Sequence, residues 1–273
     1  MSHLCAVAEE RPKIVVSFYP HPVRVLRGGF EPRTLSSLRE KRDRLGELGV
    51  DALYGIHFTK AFSKVTAIEF VEQVLVRALG AKALVVGEDV KVGHNREGDL
   101  EFLRRELPRH NIQLFVVPTF HFNKERPSSR RIRELLIAGD VVAAAGLIGA
   151  PFTVSARVGH GDKRGRTIGF PTANIASARR LLPKRGVYAC EVVYEGRMYP
   201  GVANIGVRPT FQGEQERLEV HVIGTHFESL YGKRLHVKFV ERLRDEKRFN
   251  SVEELKAQIA QDVRDATKSL RHD

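Results

Sequence analysis

GVYACEVVYEGRMYPGVANI, residues 186–205, contains two strand-like apolar runs, GVYACEVVY and RMYPGVANI, joined through Tyr194–Met198 with Glu195-Gly196 at the centre. A glycine-containing break between two such runs predicts a hairpin turn. FTVSARV (152–158) lies upstream, and RLEVHVI (217–223) and RLHVKFVERL (234–243) lie downstream. Several strands divided by turn residues, with no helix-length pattern between them, predict a small antiparallel barrel. Ser251-Val252-Glu253-Glu254 then has the S-x-x-E form of a capping box. Val252, Leu255, Ile259 and Val263 follow at helical spacing, so a helix over 251–270 is expected to lie on the barrel.

Upstream of this region the pattern differs. KIVVSF (13–18), DALYGI (51–56), ALVVG (83–87) and QLFVVP (113–118) read as strands. Helical patterns cover 36–48 and 67–79, the second with Phe70, Val71, Val74 and Leu75 at a 3.6 period, and two more follow at about 128–138 and 140–148. Strands alternating with helices predict a parallel sheet with crossover helices, a Rossmann-like α/β domain. The change at Gly149-Ala150-Pro151 sets the expected boundary, with one domain over 1–149 and a second over 150–273.

The 273 residues are 42% hydrophobic and 29% charged, an ordinary globular composition. No run reaches the ~18 apolar residues of a membrane helix. MSHLCAVAEE has no basic stretch followed by an apolar one, so it does not read as a signal peptide. Cys5 and Cys190 sit in no metal-ligand spacing and read as reduced thiols of a cytoplasmic protein. The formal charge of +12 suits nucleic acid or an enzyme of polyanionic nucleotides. Most basic residues lie close to acidic ones, as in Arg39-Glu40-Lys41-Arg42-Asp43-Arg44, and there is no basic-aromatic interleaving, which favours small-molecule substrates over nucleic acid.

The chemistry concentrates in GHGDKRGRTIGFPTANI (159–175). Gly161 and Gly165 let backbone amides approach a phosphate, and Lys163 and Arg166 supply charge for the same oxygens. Pro171 fixes the chain before Thr172 and Asn174, whose neutral oxygens suit Mg²⁺ that is bound mainly by phosphate and water. This reads as a nucleotide-phosphate loop, with a glycine-rich hairpin as the plainer alternative. Glu219 in LEVHV alternates with Leu218 and Val220, so it points to the other face of its strand. It is a candidate base for a substrate hydroxyl if that face lines the barrel mouth, and otherwise an exposed strand glutamate. His221 shares that face and reads as structural.

GRTIGFPTAN, GVYA, GVANIGVRPTF, LEVH, LYGKRLHVKF and RLRDEKRF occur in that order across 152–270. Together they resemble the riboflavin kinase module of the bacterial bifunctional riboflavin kinase/FAD synthetase family. The resemblance implies a six-stranded flavokinase barrel, with Thr172 and Asn174 engaging Mg-ATP and Glu219 acting as base on the ribityl 5′-hydroxyl. It also implies a flap at Arg244-Asp245-Glu246 over the flavin, with Asn204 and Arg208 near it. In the first half, VVSFYPHPVRVL (15–26), VVGEDVKVG (85–93) and SSRRIRELLIAGD (128–140) resemble the family's FAD synthetase module, a nucleotidylyltransferase fold. They carry over His21, Asp89, Ser128, Ser129 and Arg133.

Two departures stand out. The family's opening strand and GxFDGVHxGH, whose histidines handle the ATP phosphates, have no counterpart here, so the α/β domain is expected to be incomplete. Arg130 replaces the signature threonine and Pro127 an aliphatic residue. His21, His57, His94, His110 and His121 do not reproduce H-x-G-H and read as structural or exposed. Either a longer native chain carries the motif, giving a fully bifunctional enzyme, or the module has decayed to a scaffold. The expected function is riboflavin kinase, using Mg²⁺, ATP and riboflavin to give FMN, with FAD synthesis impaired. The alternative from another class is a non-catalytic flavin- or RNA-binding protein.

Overall fold

A computed structural model describes residues 2–8, 10–27, 33–159, 168–176, 180–210, 213–225, 227 and 229–271, with side chains at all of these except 2–3, 208–210 and 213–215. The chain forms two compact units, Met1–His121 and Phe122–Asp273.

The first unit runs α1 (Ser2–Ala8), β1 (Ile14–Tyr19), α2 (Pro22–Leu26), α3 (Leu38–Glu47), β2 (Ala52–His57), α4 (Ala67–Phe70), β3 (Ala83–Gly87), α5 (Leu100–Glu106) and β4 (Gln113–Val117). All four strands fall on the apolar runs that predicted them. β1 pairs parallel with β2, and β3 with β4. Among the described residues these are two separate two-stranded sheets. One core serves both: Ile56, Phe70, Val71, Val74, Leu75, Leu103, Leu107 and Ile112 are buried together, with Val16, Leu84 and Leu114 packed against them. Residues Ile14–Ser17 and Ala83–Val86 are only half-buried, whereas a continuous parallel sheet buries such runs on both faces.

The helix expected over 67–79 winds differently. Thr66 and Glu69 form a full capping box on α4, but Val71–Ala78 continues as a π-helix, ending with Leu79 N–H donating to the Val74 carbonyl at 3.1 Å. Val71, Val74 and Leu75 still face the core. α5 was not expected. It is a seven-residue helix started by Asp99, whose Oδ1 accepts from Phe102 N–H at 3.0 Å.

The second unit opens with α6 (Ser129–Ala138) and α7 (Val141–Ile148), capped by Ser128 and Asp140 and ended by left-handed Gly139 and Gly149. The strands β5 (Phe152–Gly159), β6 (Ala173–Ile175), β7 (Gly186–Tyr194), β8 (Arg197–Thr210), β9 (Gly213–Val222) and β10 (Arg234–Arg244) follow, and then α8 (Val252–Ser269). The six strands close into a barrel, β10-β5-β6-β9-β8-β7, and every pairing is antiparallel. Tyr194 pairs with Arg197, so the β7–β8 turn has two central residues, and Glu195 (φ 47°) and Gly196 (φ 76°) both take positive φ. A two-residue turn of that kind matches the strand twist.

Alternation then separates two faces. Leu218, Val220, Ala203, Ile205, Tyr188, Val237 and Phe239 are buried inside the barrel, and the Phe239 ring packs edge-on to Tyr188 at 5.4 Å. The outer residues Val187, Ala189 and Val202 are buried instead against Ala266 of α8, with Val263 and Leu270 beside them. α8 begins as expected at Ser251, whose Oγ accepts from Glu254 N–H at 3.1 Å. The Glu254 carboxylate, however, reaches back to Asn250 N–H rather than completing the box.

Candidate active site on the outer wall of the barrel

Strand register sets Asn174 of β6 beside Glu219 of β9, and Glu219 beside Asn204 of β8. Their strand neighbours Ala173, Ile175, Leu218, Val220, Ala203 and Ile205 fill the interior, so the three polar side chains form a row on the outer wall. Glu219 therefore does not line the barrel mouth considered for it: it stands on the outer wall, on the face that α8 partly covers. Glu219 Oε1 accepts from Arg217 Nη1 at 3.0 Å, and its side chain is 27% exposed. Among the described residues Asn174 Oδ1 is buried without a hydrogen-bond partner. Leaving such an oxygen unpaired costs about 1–3 kcal/mol, so the site suits a cation or donor group that would complete it. Thr172 is exposed on the segment entering β6.

No three His, Cys, Asp or Glu side chains gather to hold a metal ion among the described residues. Thr172 and Asn174 offer the neutral oxygens that fit Mg²⁺ carried in on phosphates. Gly161, Lys163, Gly165 and Arg166 lie outside the described residues. Arg208 pairs through β8 with Gln215, and its side chain also lies outside them.

The segment after β10 is tied down residue by residue. Arg244 donates through Nε and Nη2 to the two oxygens of Asp262 on α8, each at 2.7 Å, and through Nη1 to the Asp245 carbonyl at 2.9 Å. Asp262 is 3% exposed and also accepts from Gln258 Nε2 at 2.9 Å. Asp245 accepts from Arg242 Nη2 at 2.6 Å and faces Lys184 at 3.8 Å. The Arg242 guanidinium, with help from Lys184, holds its carboxyl below the usual carboxylate range. Glu246 reaches β8, where a Cβ at Gly206 would stand 2.4 Å from Glu246 Oε1 and 3.6 Å from Asn204 Nδ2. Arg244, Asp245 and Glu246 thus engage three different parts of this unit.

An open cleft of about 480 Å³ follows, lined by Lys247, Arg248 and Phe249 and by Glu254, Ala257, Gln258, Gln261 and Arg264 of the α8 region. Sequence reasoning missed Asp262 and Gln258. The signal was available, since an i, i+4 polar pair interrupts the apolar stripe of Leu255, Ile259 and Val263.

The residues carried over from the synthetase module, and the other histidines before residue 122, make local contacts or lie exposed. His21 caps α2, its Nδ1 accepting from Val23 N–H at 3.3 Å. His94 Nδ1 bonds the Ser63 carbonyl at 2.7 Å, His110 Nε2 meets Glu106 at 3.3 Å, and His57 and His121 are exposed. Asp89 sits in the exposed turn after β3. Ser128 Oγ caps α6 at Arg131 N–H, and the carbonyl of Ser129 accepts from Arg133 Nη1 at 3.0 Å. Arg133 Nε is buried without a partner among the described residues.

Comparison with known proteins settles the family. Residues 148–270 match the family model for riboflavin kinase, and residues 2–131 match that for FAD synthetase. The bifunctional riboflavin kinase/FMN adenylyltransferase of Escherichia coli (strain K12) is 41% identical over 252 residues, covering 92% of this chain and 80% of that protein. This chain belongs to the bifunctional riboflavin kinase/FMN adenylyltransferase family. The Haemophilus influenzae member is 38% identical over 97% of this chain and 87% of its own length, and the Bacillus subtilis member 34% identical over 95% and 84%.

A crystal structure described as a macrolide-efflux protein from Streptococcus pneumoniae superposes with a TM-score of 0.81 at 32% identity, covering 94% of this chain and 84% of that one. That description is not carried over, since both halves of this chain match flavin-enzyme family models.

Proposed function

We propose that the barrel unit phosphorylates riboflavin to FMN at the Asn174–Glu219–Asn204 row. The observation that carries this reading is Asn174 Oδ1, buried and, among the described residues, unpaired on the strand position beside Glu219. Mg²⁺ bound with ATP would be held by Thr172 and Asn174, where it would neutralise charge on the transferring phosphoryl group. Lys163 and Arg166, with the amides around Gly161 and Gly165, contact the nucleotide phosphates. Glu219 takes the proton of the ribityl 5′-hydroxyl as that oxygen bonds to the γ-phosphorus, while the bond from that phosphorus to the bridging β–γ oxygen breaks and ADP leaves. Asn204 and Arg208 orient the ribityl chain. Arg244 and Asp245 hold the flap, and the flavin ring occupies the cleft beside Phe249.

The functional modules are 1–149 and 150–273. The first uses ATP and FMN to make FAD but is impaired in this 273-residue chain. These 273 residues contain no GxFDGVHxGH, and among the described residues the first module's strands form two separate pairs. Both reactions are placed in the cytoplasm.

Incubation with riboflavin, ATP and Mg²⁺, with flavins separated by chromatography, should give FMN and little FAD. Glu219→Gln should lower FMN formation by about 10²–10⁴-fold, the usual contribution of a general base, with Mg-ADP binding retained. Wild-type turnover in that variant would remove Glu219 as the base. FAD formed at the rate of FMN would refute the impairment. RNA binding without FMN formation would favour the non-catalytic alternative.

A further inference from the structure

Thr172 stands on a short segment between Gly169, in left-handed conformation (φ 87°), and the first residue of β6. Proline has no N–H, so at residue 171 the only backbone hydrogen-bonding group is the carbonyl. That carbonyl meets Nδ1 of His221 at 2.9 Å. The Phe170 ring packs edge-on against the His221 ring, with centroids 5.5 Å apart and planes at 78°. A carbonyl only accepts, so Nδ1 carries the proton and donates.

His221 lies two residues beyond Glu219 on the same outer face of β9. One strand therefore carries the carboxylate beside Asn174 and the imidazole that grips residues 170–171. Between those two attachments the chain contains only Thr172 and Ala173.

We infer that His221 is a positioning residue that sets Thr172 against Glu219 through the Pro171 carbonyl. The inference rests on the kinase reading above. A merely structural histidine would affect stability, or both substrates equally. A positioning histidine acts on the nucleotide side alone.

The test uses the full chain with His221→Ala, His221→Phe, His221→Asn and Thr172→Ala. Steady-state kinetics vary each substrate in turn, calorimetry measures Mg-ADP binding, and circular dichroism follows melting. His221→Ala and His221→Phe should raise KM for Mg-ATP and weaken Mg-ADP binding about five-fold, equivalent to the ~1 kcal/mol of one hydrogen bond. The KM for riboflavin should stay at the wild-type value. His221→Asn, whose amide can donate, should stay within about two-fold of wild type by the same reasoning. Wild-type nucleotide binding in His221→Phe, or equal shifts in both KM values, would overturn the inference. If Thr172→Ala weakens Mg-ADP and His221→Ala does not, the inference alone fails. If Thr172→Ala has no effect either, the assignment of Thr172 to the nucleotide site fails with it.

Discussion

Removing the Asp262 carboxylate should destabilise the barrel unit far more than a surface ion pair would. Both its oxygens receive Arg244 at 2.7 Å, Gln258 adds a third bond, and the two charged side chains are 17% and 5% exposed. Asp262→Ala leaves a mostly buried guanidinium without its counter-charge, a loss of about 3–5 kcal/mol. For a unit of this size that is a fall of roughly 6–20 °C in melting midpoint. Arg244→Met strands the carboxylate instead and should cost a similar ~3–5 kcal/mol. The double variant Arg244→Met/Asp262→Leu removes both charges and should come within ~1 kcal/mol of wild type. Urea unfolding followed by far-UV circular dichroism is the assay, because the chain has no tryptophan. The double variant still lacks the Arg244 bond to the Asp245 carbonyl, so its KM for riboflavin should stay raised although stability returns. A loss below ~1 kcal/mol in Asp262→Ala, or a double variant as unstable as the sum of the singles, would refute a coupled buried pair.

Two glycines should separate stability from function. A Cβ at Gly186 (φ 147°) would lie 2.5 Å from the Arg244 carbonyl, which is fixed backbone, so Gly186→Ala should cost about 1–3 kcal/mol in urea unfolding. At Gly206 the obstacle is the movable end of Glu246, so Gly206→Ala should keep stability within ~0.5 kcal/mol while raising KM for riboflavin as the flap shifts. Asp245 supplies a pH test. Arg242 and then Lys184 depress its folded carboxyl pKa, so its contribution is present above the unfolded value and disappears as pH falls through the folded one. The melting gap between wild type and Asp245→Asn should therefore be open at neutral pH and close below the ordinary carboxylate range. A gap independent of pH would contradict the Arg242 pairing.

The strands were legible because apolar runs bounded by turn residues leave few alternatives, and Glu195-Gly196 marks its turn by chemistry alone. β6 was harder, because three residues, Ala173–Ile175, form a strand inside a segment read for its glycines and charges. The short α5 escaped because seven residues hold too few apolar positions to show a period. That Glu219 faces away from Leu218 and Val220 followed from alternation. Which face was the inside did not, since closure of the barrel depends on pairings between strands distant in sequence. Arg244 and Asp245 were found as part of a motif, whereas Asp262 and Lys184, which they meet, come from elsewhere in the chain and reach them only in three dimensions.

The alternation along β9 has a consequence for how this barrel tolerates change. Leu218 and Val220 belong to the oily interior, and Glu219 and His221 to the outer wall proposed as the site, so odd and even positions answer to separate demands. Insertion or deletion of a single residue ahead of Leu218 would turn the carboxylate into the oil and a leucine into the site, ruining stability and chemistry together. A two-residue slip would keep the interior greasy and lose only the alignment with Asn174 and Asn204. Length changes in this strand should therefore be survivable as folded, inactive proteins in steps of two, and rejected in steps of one.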